Sequence, residues 1–344
     1  MTDNKDFNPS GFAVKNGNFI GLPYDLDSAS IVFLPVPWEA TVSYSPGTAK
    51  GPENIREASY QLDLYDADFP NAYQTGIYML PTDKQVAKLS KKTRKLASEH
   101  IERIENGKSF QSELVEEVNR NSEWLNHWVK NQCTALLDMG KMVGLIGGDH
   151  STPLGYLHAL AEKHDQFGIL QIDAHCDLRN AYEGFTYSHA SIFYNALAEI
   201  PQIKKLVQVG IRDYCHEEVE FIHKSKKRIE VSFDQEMKEL MYVGQNLNDI
   251  FDQIIAKLPD MVYISFDIDG LQPNLCPNTG TPVAGGLELQ QAFFLLKKLV
   301  NSGKTIIGFD LCEVGSATEW DGNVGARIAY KMATMMAKSN DLML

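Results

Sequence analysis

Three short clusters of aspartate and histidine each stand at the end of an apolar run of the sequence. In an extended backbone alternate residues point to the same face, so Asp-x-His-x-Asp presents three side chains together and Asp-x-Asp presents two. If the clusters meet in space, their carboxylate oxygens and imidazole nitrogens form a donor set that Mn²⁺-like ions accept. The six candidate ligands are His150 in Gly-Gly-Asp-His-Ser, Asp173, His175 and Asp177 in Asp-Ala-His-Cys-Asp, and Asp267 and Asp269 in Ser-Phe-Asp-Ile-Asp.

Electrostatics favours cations at such a cluster. Two like unit charges about 4 Å apart repel by about 4 kcal/mol at an effective dielectric constant of about 20, so neighbouring carboxylates either take up protons or bind cations. Cys176 alternates away from the Asp-x-His-x-Asp face, and we expect no thiolate ligand. Four carboxylates and two imidazoles predict a binuclear site for two Mn²⁺ ions, with Ni²⁺ or another divalent ion as the alternative.

Hydrolysis is the reaction that two such ions support. They lower the pKa of a shared water from about 15.7 towards neutrality and so supply hydroxide without a nucleophile from the protein. The sequence contains no Gly-x-Ser-x-Gly, P-loop or Gly-x-Gly-x-x-Gly pattern. It therefore lacks the usual signatures of serine hydrolases, nucleoside triphosphatases and dinucleotide enzymes.

A simpler interpretation exists for each motif taken alone. Gly-Gly-Asp is common in loops, and strand-terminal Asp or His often caps the next helix. An acidic domain with such caps would bind no metal, and a chain that binds metal could still act as a regulator or scaffold without catalysis. Three motifs at three strand ends favour a catalytic site.

Eight short apolar runs would position these residues. The runs are nearly continuous rather than alternating, which is typical of strands buried on both faces of a parallel sheet. Helical patterns fill most of the gaps, which predicts one α/β domain with helices on both sides. Ligands bind outside the carboxyl ends of such strands, where the three clusters lie. The runs are 31–37, 76–80, 143–148, 167–173, 206–211, 228–233, 261–269 and 305–314.

Composition narrows the class of protein. The 344 residues include 32 Lys+Arg and 45 Asp+Glu, and the formal charge of −13 argues against nucleic acid and favours a small cationic partner. No stretch reaches about 18 uninterrupted apolar residues, so we expect no membrane partner and a cytoplasmic location. We expect residues 1–18 to be loosely ordered, and residues 19–344 to form a single catalytic domain with a helical insertion at about 82–141.

The ordered set of motifs resembles the ureohydrolase family of arginases, agmatinases, guanidinobutyrases and formiminoglutamases, and most closely its agmatinase-like members. The resemblance covers about residues 31–336 and includes the early segment 36–52 and the Asp-Leu-Cys-Glu-Val-Gly segment around Glu313. It implies a three-layer α/β/α fold with an eight-stranded parallel sheet, and a homotrimer or homohexamer. The implied reaction cleaves a guanidino C–N bond to urea and an amine.

The resemblance also implies a role for each site residue. Asp177 would accept a hydrogen bond from the nucleophilic hydroxide, and Glu313 would bind the guanidinium through charge-assisted hydrogen bonds. His189 would pass a proton to the leaving amine, a role that suits an unperturbed histidine pKa of about 6.5. As ligands, His150 and Asp177 would hold one Mn²⁺, His175 and Asp269 the other, and Asp173 and Asp267 both.

Agmatine, which would yield putrescine and urea, is the expected substrate. Residues 182–190 resemble agmatinase-like members, whereas residues 281–287 are similar to arginases. Arginine, guanidine, guanidinobutyrate and formiminoglutamate stay open as alternatives, the last giving formamide rather than urea. Two departures from the family pattern concern local loop geometry: Ala190-Ser191-Ile192 after His189, and Gln272 in place of an aspartate.

Overall fold

A computed structural model of the protein describes residues 7–342. Residues 1–6, which begin the predicted loosely ordered segment, lie outside the described residues, as do 343 and 344. The described chain contains eight strands: β1 (Ile31–Pro35), β2 (Ile77–Met79), β3 (Met142–Ile146), β4 (Phe167–Ile172), β5 (Ile203–Ile211), β6 (Ile229–Phe233), β7 (Met261–Asp267) and β8 (Thr305–Cys312).

The eight strands form one sheet in the order β2-β1-β3-β8-β7-β4-β5-β6, and every pairing is parallel. Each strand coincides with one of the eight predicted runs, although β5 begins three residues earlier than its run. The predicted α/β fold with an eight-stranded parallel sheet is therefore confirmed.

Helices cover both faces of the sheet. The helices of residues 7–342 are α1 (Gly51–Ser59), α2 (Lys84–Glu105), α3 (Ser112–Asp138), α4 (Leu154–Ala161), α5 (Ile192–Glu199), α6 (His216–Lys224), α7 (Asp234–Tyr242), α8 (Leu247–Ile255), α9 (Leu289–Asn301) and α10 (Glu319–Ser339). None of them has both the length and the hydropathy that a membrane crossing requires.

Two large apolar cores lie on opposite faces of the sheet because alternate strand residues point to opposite sides. In β1, Ile31 and Phe33 belong to the core under α8, α9 and α10, whereas Val32 and Leu34 belong to the core under α3, α4 and α5. Both faces of the strands are thus buried, which explains the nearly continuous apolar runs.

The segment 82–141 consists mainly of the two long helices α2 and α3. Asp83 begins α2 because its carboxylate accepts hydrogen bonds from the backbone N–H groups of Gln85 and Val86. In α3 the buried residues recur every three or four positions, which is the spacing of one helix face. This face packs α3 against α4, and α2 lies against α3.

Candidate active site

The four central strands of the sheet bring the predicted motifs together. Strands β3, β8, β7 and β4 are consecutive neighbours, and each carries one motif at or just after its carboxyl end. A cavity of about 140 Å³ lies there. Its lining includes His150, His175, Asp177, His189, Asp267 and Glu313.

A tight turn after β3 positions His150. A Cβ at Gly148 would overlap the carbonyl oxygen of Trp38, so only glycine fits this close approach. The next residue, Asp149, donates its backbone N–H to the same oxygen at 2.8 Å, and its Oδ2 accepts from the N–H of Ala40 at 2.9 Å. The Gly-Gly-Asp-His motif thus fastens the turn to the loop after β1.

The first group of polar atoms surrounds Nδ1 of His150. This nitrogen lies 3.0 Å from Oδ2 of Asp173, 3.0 Å from Oδ2 of Asp177 and 3.3 Å from Oδ2 of Asp267. All four side chains are buried. Ligand atoms of His150, Asp173 and Asp267 lie close enough to one another to hold a single ion, whereas Asp177 joins this group through its contact with His150.

The second group surrounds Nδ1 of His175. This nitrogen lies 3.1 Å from Oδ2 of Asp269 and 3.6 Å from Oδ1 of Asp173. Asp173 thus contacts both histidines, one through each of its oxygens. Asp267 faces His150, and its Oδ1 accepts the backbone N–H of Asp269 at 2.8 Å. The structure therefore brings all six predicted ligands into two adjoining groups, which we call the carboxylate cluster.

The donor set of the carboxylate cluster fits divalent cations. Nδ1 of His150 and Oδ2 of Asp269 are buried without a partner in hydrogen-bond geometry, although carboxylate or imidazole atoms lie close to them. Buried polar atoms of this kind are costly unless something else binds them. Oxygen and imidazole donors in this number are what Mn²⁺ and related ions accept.

The pKa values show how strongly the cluster lacks positive charge. Burial, with the charge of Asp173, raises the pKa of Asp177 to about 7. Burial, with the charges of Asp269 and Asp173, raises the pKa of Asp267 well above its usual range. Burial lowers the pKa of His150, but the surrounding carboxylates outweigh burial and raise it overall. Without cations some of these carboxylates are therefore held protonated.

Buried polar residues within the strands orient the candidate ligands through hydrogen bonds. Gln171 in β4 donates from Nε2 to Oδ2 of Asp173 at 2.8 Å, and Gln208 in β5 donates to Oε1 of Gln171 at 2.5 Å. Nε2 of His150 lies 2.9 Å from Oγ of Ser265 in β7. Such contacts fix the direction of a ligand's lone pair. These residues were not predicted from the sequence, although a polar residue within an apolar run could have indicated them.

Glu313 follows β8 with a strained backbone. Its φ of 61° lies in the left-handed region, which non-glycine residues seldom adopt. Oε1 accepts the backbone N–H of His150 at 2.9 Å, whereas Oε2 is buried without a hydrogen-bond partner. Burial and the charge of Asp149 raise the pKa of Glu313 well above its usual range. Glu313 thus lines the cavity with one free acceptor.

His189 also lines the cavity. Its Nδ1 lies 3.0 Å from Oγ1 of Thr41 in the loop after β1. Burial, reinforced by His175 and Arg94, lowers the pKa of His189 to about 3, so the expectation of an unperturbed pKa is not met. At neutral pH the ring is therefore uncharged.

The cavity has further charged residues that the sequence analysis did not single out. The guanidinium of Arg179 lies 4.8 Å from the centre of the Tyr182 ring, and within residues 7–342 its side chain forms no ion pair or hydrogen bond. Asp213 adds a carboxylate that is 68% exposed. Arg179 lies two residues after Asp177, and this proximity to the Asp-x-His-x-Asp motif could have indicated that it lies near the site.

The two departures from the family pattern fall in ordered loops. Ser188 caps the turn His189–Ser191 by accepting the N–H of Ala190, and the carbonyl of Ala190 accepts the N–H of Arg179 at 3.0 Å. The backbone N–H of Gln272 donates to the carbonyl of Leu287 at 3.0 Å. Neither departure displaces a member of the carboxylate cluster.

The sequence of the chain is similar to those of known proteins. The arginase family model matches residues 29–338. The N(1)-aminopropylagmatine ureohydrolase of Thermus thermophilus is 31% identical over 311 residues, with 90% of each chain covered. The guanidinobutyrase of Pseudomonas aeruginosa is 27% identical over 319 residues, covering 91% of this chain and 88% of the relative.

A solved structure has the same fold. The agmatine ureohydrolase of Thermoplasma volcanium superposes with a TM-score of 0.71 at 22% identity, covering 97% of this chain and 98% of that one. At this identity the likeness concerns the fold alone, whereas the family match and the 31% identical relative concern the sequence as well. The chain therefore belongs to the arginase family and is a ureohydrolase, an enzyme that hydrolyses guanidino compounds.

Proposed function

We propose that this ureohydrolase uses two divalent metal ions to hydrolyse agmatine or its N1-aminopropyl derivative, releasing urea and a polyamine. The observation that carries the proposal is a set of six candidate metal ligands, five of them buried and His175 partly buried, beside a carboxylate with one free oxygen. His150 and Asp177 would hold one ion, His175 and Asp269 the other, and Asp173 and Asp267 both, with Mn²⁺ as the first candidate. Bound ions would supply hydroxide as the nucleophile near neutral pH.

Glu313 binds the guanidinium in this proposal. Its free Oε2 accepts a charge-assisted hydrogen bond from the substrate, while the bond from the backbone of His150 holds Oε1 in place. The cationic substrate also stabilises the ionised form of a carboxyl group whose pKa burial raises. Substrate binding and ionisation of Glu313 therefore support each other.

His189 and Asp177 assist the cleavage of the C–N bond through hydrogen bonds. Asp177, which lines the cavity, accepts a hydrogen bond from the attacking hydroxide. His189, which lines the cavity, donates a hydrogen bond to the departing nitrogen, and this nitrogen gains the proton that the added hydroxyl group loses when urea forms. The low pKa of His189 means that its neutral form makes this contact.

The distal end of the substrate extends towards the cavity mouth. Asp213 offers an exposed carboxylate there, which suits the second cation of an agmatine-like substrate. The 31% identical relative is named for aminopropylagmatine, in which the chain beyond the guanidino group is longer and carries further amines.

Arg179 favours a second candidate function. An arginine without an ion pair at the cavity would bind a carboxylate in the bidentate geometry that suits this pair of groups. A guanidino acid such as guanidinobutyrate carries that carboxylate, and one relative is named guanidinobutyrase.

A substrate panel tests the proposal. Urea release would be measured with agmatine, N1-aminopropylagmatine, arginine, guanidinobutyrate and guanidine, and formamide release with formiminoglutamate, with Mn²⁺ or Ni²⁺ and after chelation. We expect the highest kcat/KM for one of the two agmatine compounds. The Asp213→Asn substitution should lower kcat/KM for these two substrates, whereas Arg179→Gln should leave it unchanged. A preference for guanidinobutyrate that Arg179→Gln removes would establish the second candidate instead.

We also propose a homotrimer or homohexamer and a cytoplasmic location. Light scattering on a size-exclusion column measures the mass of the assembly, and a monomeric mass would contradict the first of these. Fractionation of cells that make the protein tests the second.

A further inference from the structure

One buried hydroxyl group is in hydrogen-bond contact with His189. Thr41 is 1% exposed, and its Oγ1 accepts the backbone N–H of His189 at 3.2 Å and lies 3.0 Å from Nδ1 of the same residue. Thr41 belongs to the loop after β1, 148 residues away in sequence. The side chain therefore contacts both the backbone and the ring of His189 across two separate loops.

Counting donors and acceptors gives the direction of the bond to the ring. A threonine hydroxyl has one proton to donate, and a buried donor without an acceptor is costly. Within the described residues Nδ1 of His189 is the acceptor that Oγ1 reaches. The proton of Thr41 therefore goes to Nδ1, and the proton of the neutral ring then resides on Nε2. In the opposite arrangement Oγ1 would accept two N–H groups and its own proton would have no acceptor.

Ser188 is the other hydroxyl near Nδ1. Its Oγ lies 3.4 Å from Nδ1, a longer distance than that of Thr41, and it accepts the backbone N–H of Ala190 at 3.2 Å. Ser188 precedes His189 in the chain and moves with it, whereas Thr41 is fixed from elsewhere. The external constraint on the ring thus comes from Thr41.

The segment around Thr41 is itself held on both sides. The N–H of Ala40 donates to Asp149, and the guanidinium of Arg94 donates to the carbonyls of Ala40 and Val42. Nε of Arg94 also lies 3.7 Å from Oε1 of Glu39. Because these contacts restrain the backbone, the hydroxyl of Thr41 has a fixed position and can hold the neighbouring ring in one orientation.

We infer that Thr41 is a positioning residue, which holds the neutral imidazole of His189 with Nε2–H directed into the cavity. The inference rests on the proposed function, in which His189 donates a hydrogen bond to the departing nitrogen. Thr41 itself is not among the residues that line the cavity. It acts by keeping the ring in one orientation and one tautomer.

Steady-state kinetics of Thr41→Val and Thr41→Ser in the metal-loaded enzyme test this inference. Valine keeps the shape and removes the hydroxyl, so kcat should fall about tenfold while KM changes less than about twofold, because a misplaced group costs turnover more than binding. Serine keeps the hydroxyl and should restore kcat to within about twofold of wild type. Equal loss in both variants, or a change confined to KM, would overturn the inference.

A matched variant controls for the removal of any buried threonine hydroxyl. Thr334 in α10 is equally buried, donates to the carbonyl of Tyr330 at 2.8 Å and is not part of the cavity lining. Thr334→Val should lower stability without changing kcat. If Thr334→Val lowers kcat as much as Thr41→Val does, the effect is general destabilisation and the inference is wrong.

Crystal structures separate this inference from the proposed function. In wild type the His189 ring should occupy one orientation with Nδ1 at Thr41, and in Thr41→Val it should turn or spread over several rotamers. If wild type releases urea from no guanidino compound, the proposed function fails, and the ring orientation still decides the role of Thr41. An unchanged ring in Thr41→Val would overturn it.

Discussion

Two ionic clusters in this protein, one partly buried and one largely buried, balance their charge in opposite ways. In the first, Nζ of Lys331 lies 2.8 Å from Asp66 and 2.6 Å from Asp68, and Nζ of Lys297 lies 2.6 Å from Asp68. Two lysines thus neutralise two aspartates, and we call this the lysine cluster. The carboxylate cluster has four aspartates and two histidines, and within residues 7–342 no lysine or arginine pairs with its carboxylates.

The pKa values of the two clusters differ accordingly. In the lysine cluster burial opposes ionisation of Asp68, but hydrogen bonds from Lys297 and Lys331 outweigh it and lower the pKa. In the carboxylate cluster burial raises the pKa of Asp177 and Asp267, whereas for Asp173 burial is outweighed by hydrogen bonds from His150 and His175, which lower the pKa. A cluster that supplies its own cations is complete within the chain, whereas one that lacks them needs cations from solution. The difference separates a structural ion network from a metal site.

The largest effect is expected where a ligand of the carboxylate cluster is lost. Asp267→Asn removes one anionic oxygen donor, so metal content should fall below two ions per chain and urea release should fall by about 10³-fold or more. Elemental analysis and a urea assay measure these changes. Asp68→Asn is the control from the lysine cluster and should keep both metals and activity. Full metal content in Asp267→Asn would show that Asp267 is not a ligand.

Glu313 borders the carboxylate cluster but should not serve as a ligand. Glu313→Gln keeps the shape and removes the charge that binds the guanidinium, so kcat/KM should fall by about 10²-fold to 10³-fold. Metal content should be unchanged. Loss of metal together with activity would instead place Glu313 in the metal site.

The lysine cluster should contribute stability and not activity. Lys331→Met leaves Asp66 and Asp68 partly buried beside each other with only Lys297, which should lower the free energy of unfolding by about 3 kcal/mol. Urea denaturation at pH 7 measures the change. Metal content and kcat of the folded variant should equal those of wild type. A loss of bound metal would show that the two clusters depend on each other.

Removal of the metal ions should lower stability through the carboxylate cluster and leave the lysine cluster unaffected. Saturation at about 100 times Kd stabilises the native state by about 2.7 kcal/mol, so chelation should lower the melting temperature of wild type. The same shift should occur in Lys331→Met, because distant independent sites contribute additively. A shift that vanishes in Lys331→Met would contradict the separation of the two clusters.

The sequence predicted the carboxylate cluster well because local information specifies it. Residue type and alternation at a strand end determine which side chains share a face, and parallel strands align their carboxyl ends, so Asp173, His175 and Asp267 could be expected to meet. The apolar runs similarly located all eight strands. Thr41 and Arg179 could not be assigned in this way, because their contacts depend on how separate loops pack in three dimensions.

The pKa of His189 shows the same limit. From the sequence, an ordinary value near 6.5 was the natural expectation, since nothing in the motif indicates burial. Burial and the nearby His175 and Arg94 lower the pKa to about 3. Arg94 comes from α2 and His175 from the loop after β4, so the electrostatic environment of His189 exists only in the folded chain.

The last expected effect is a pH dependence that the low pKa of His189 imposes on stability. Between pH 6.5 and about 3 the unfolded chain binds a proton at this residue and the folded chain does not, so stability falls as the pH is lowered. In metal-free protein, the free energy of unfolding of wild type should decrease relative to His189→Gln by up to about 1 kcal/mol per pH unit in this window.

Denaturant titrations between pH 7 and pH 4 measure this difference and separate it from the lysine cluster. The lowered pKa of Asp68 contributes stability that is present above its unfolded value of 3.8 and is lost as the pH falls through the folded value. Asp68→Asn should therefore follow wild type down to about pH 4, whereas His189→Gln departs from it below about pH 6.5. Parallel curves for wild type and His189→Gln would mean that the folded protein protonates His189 as readily as the unfolded chain does.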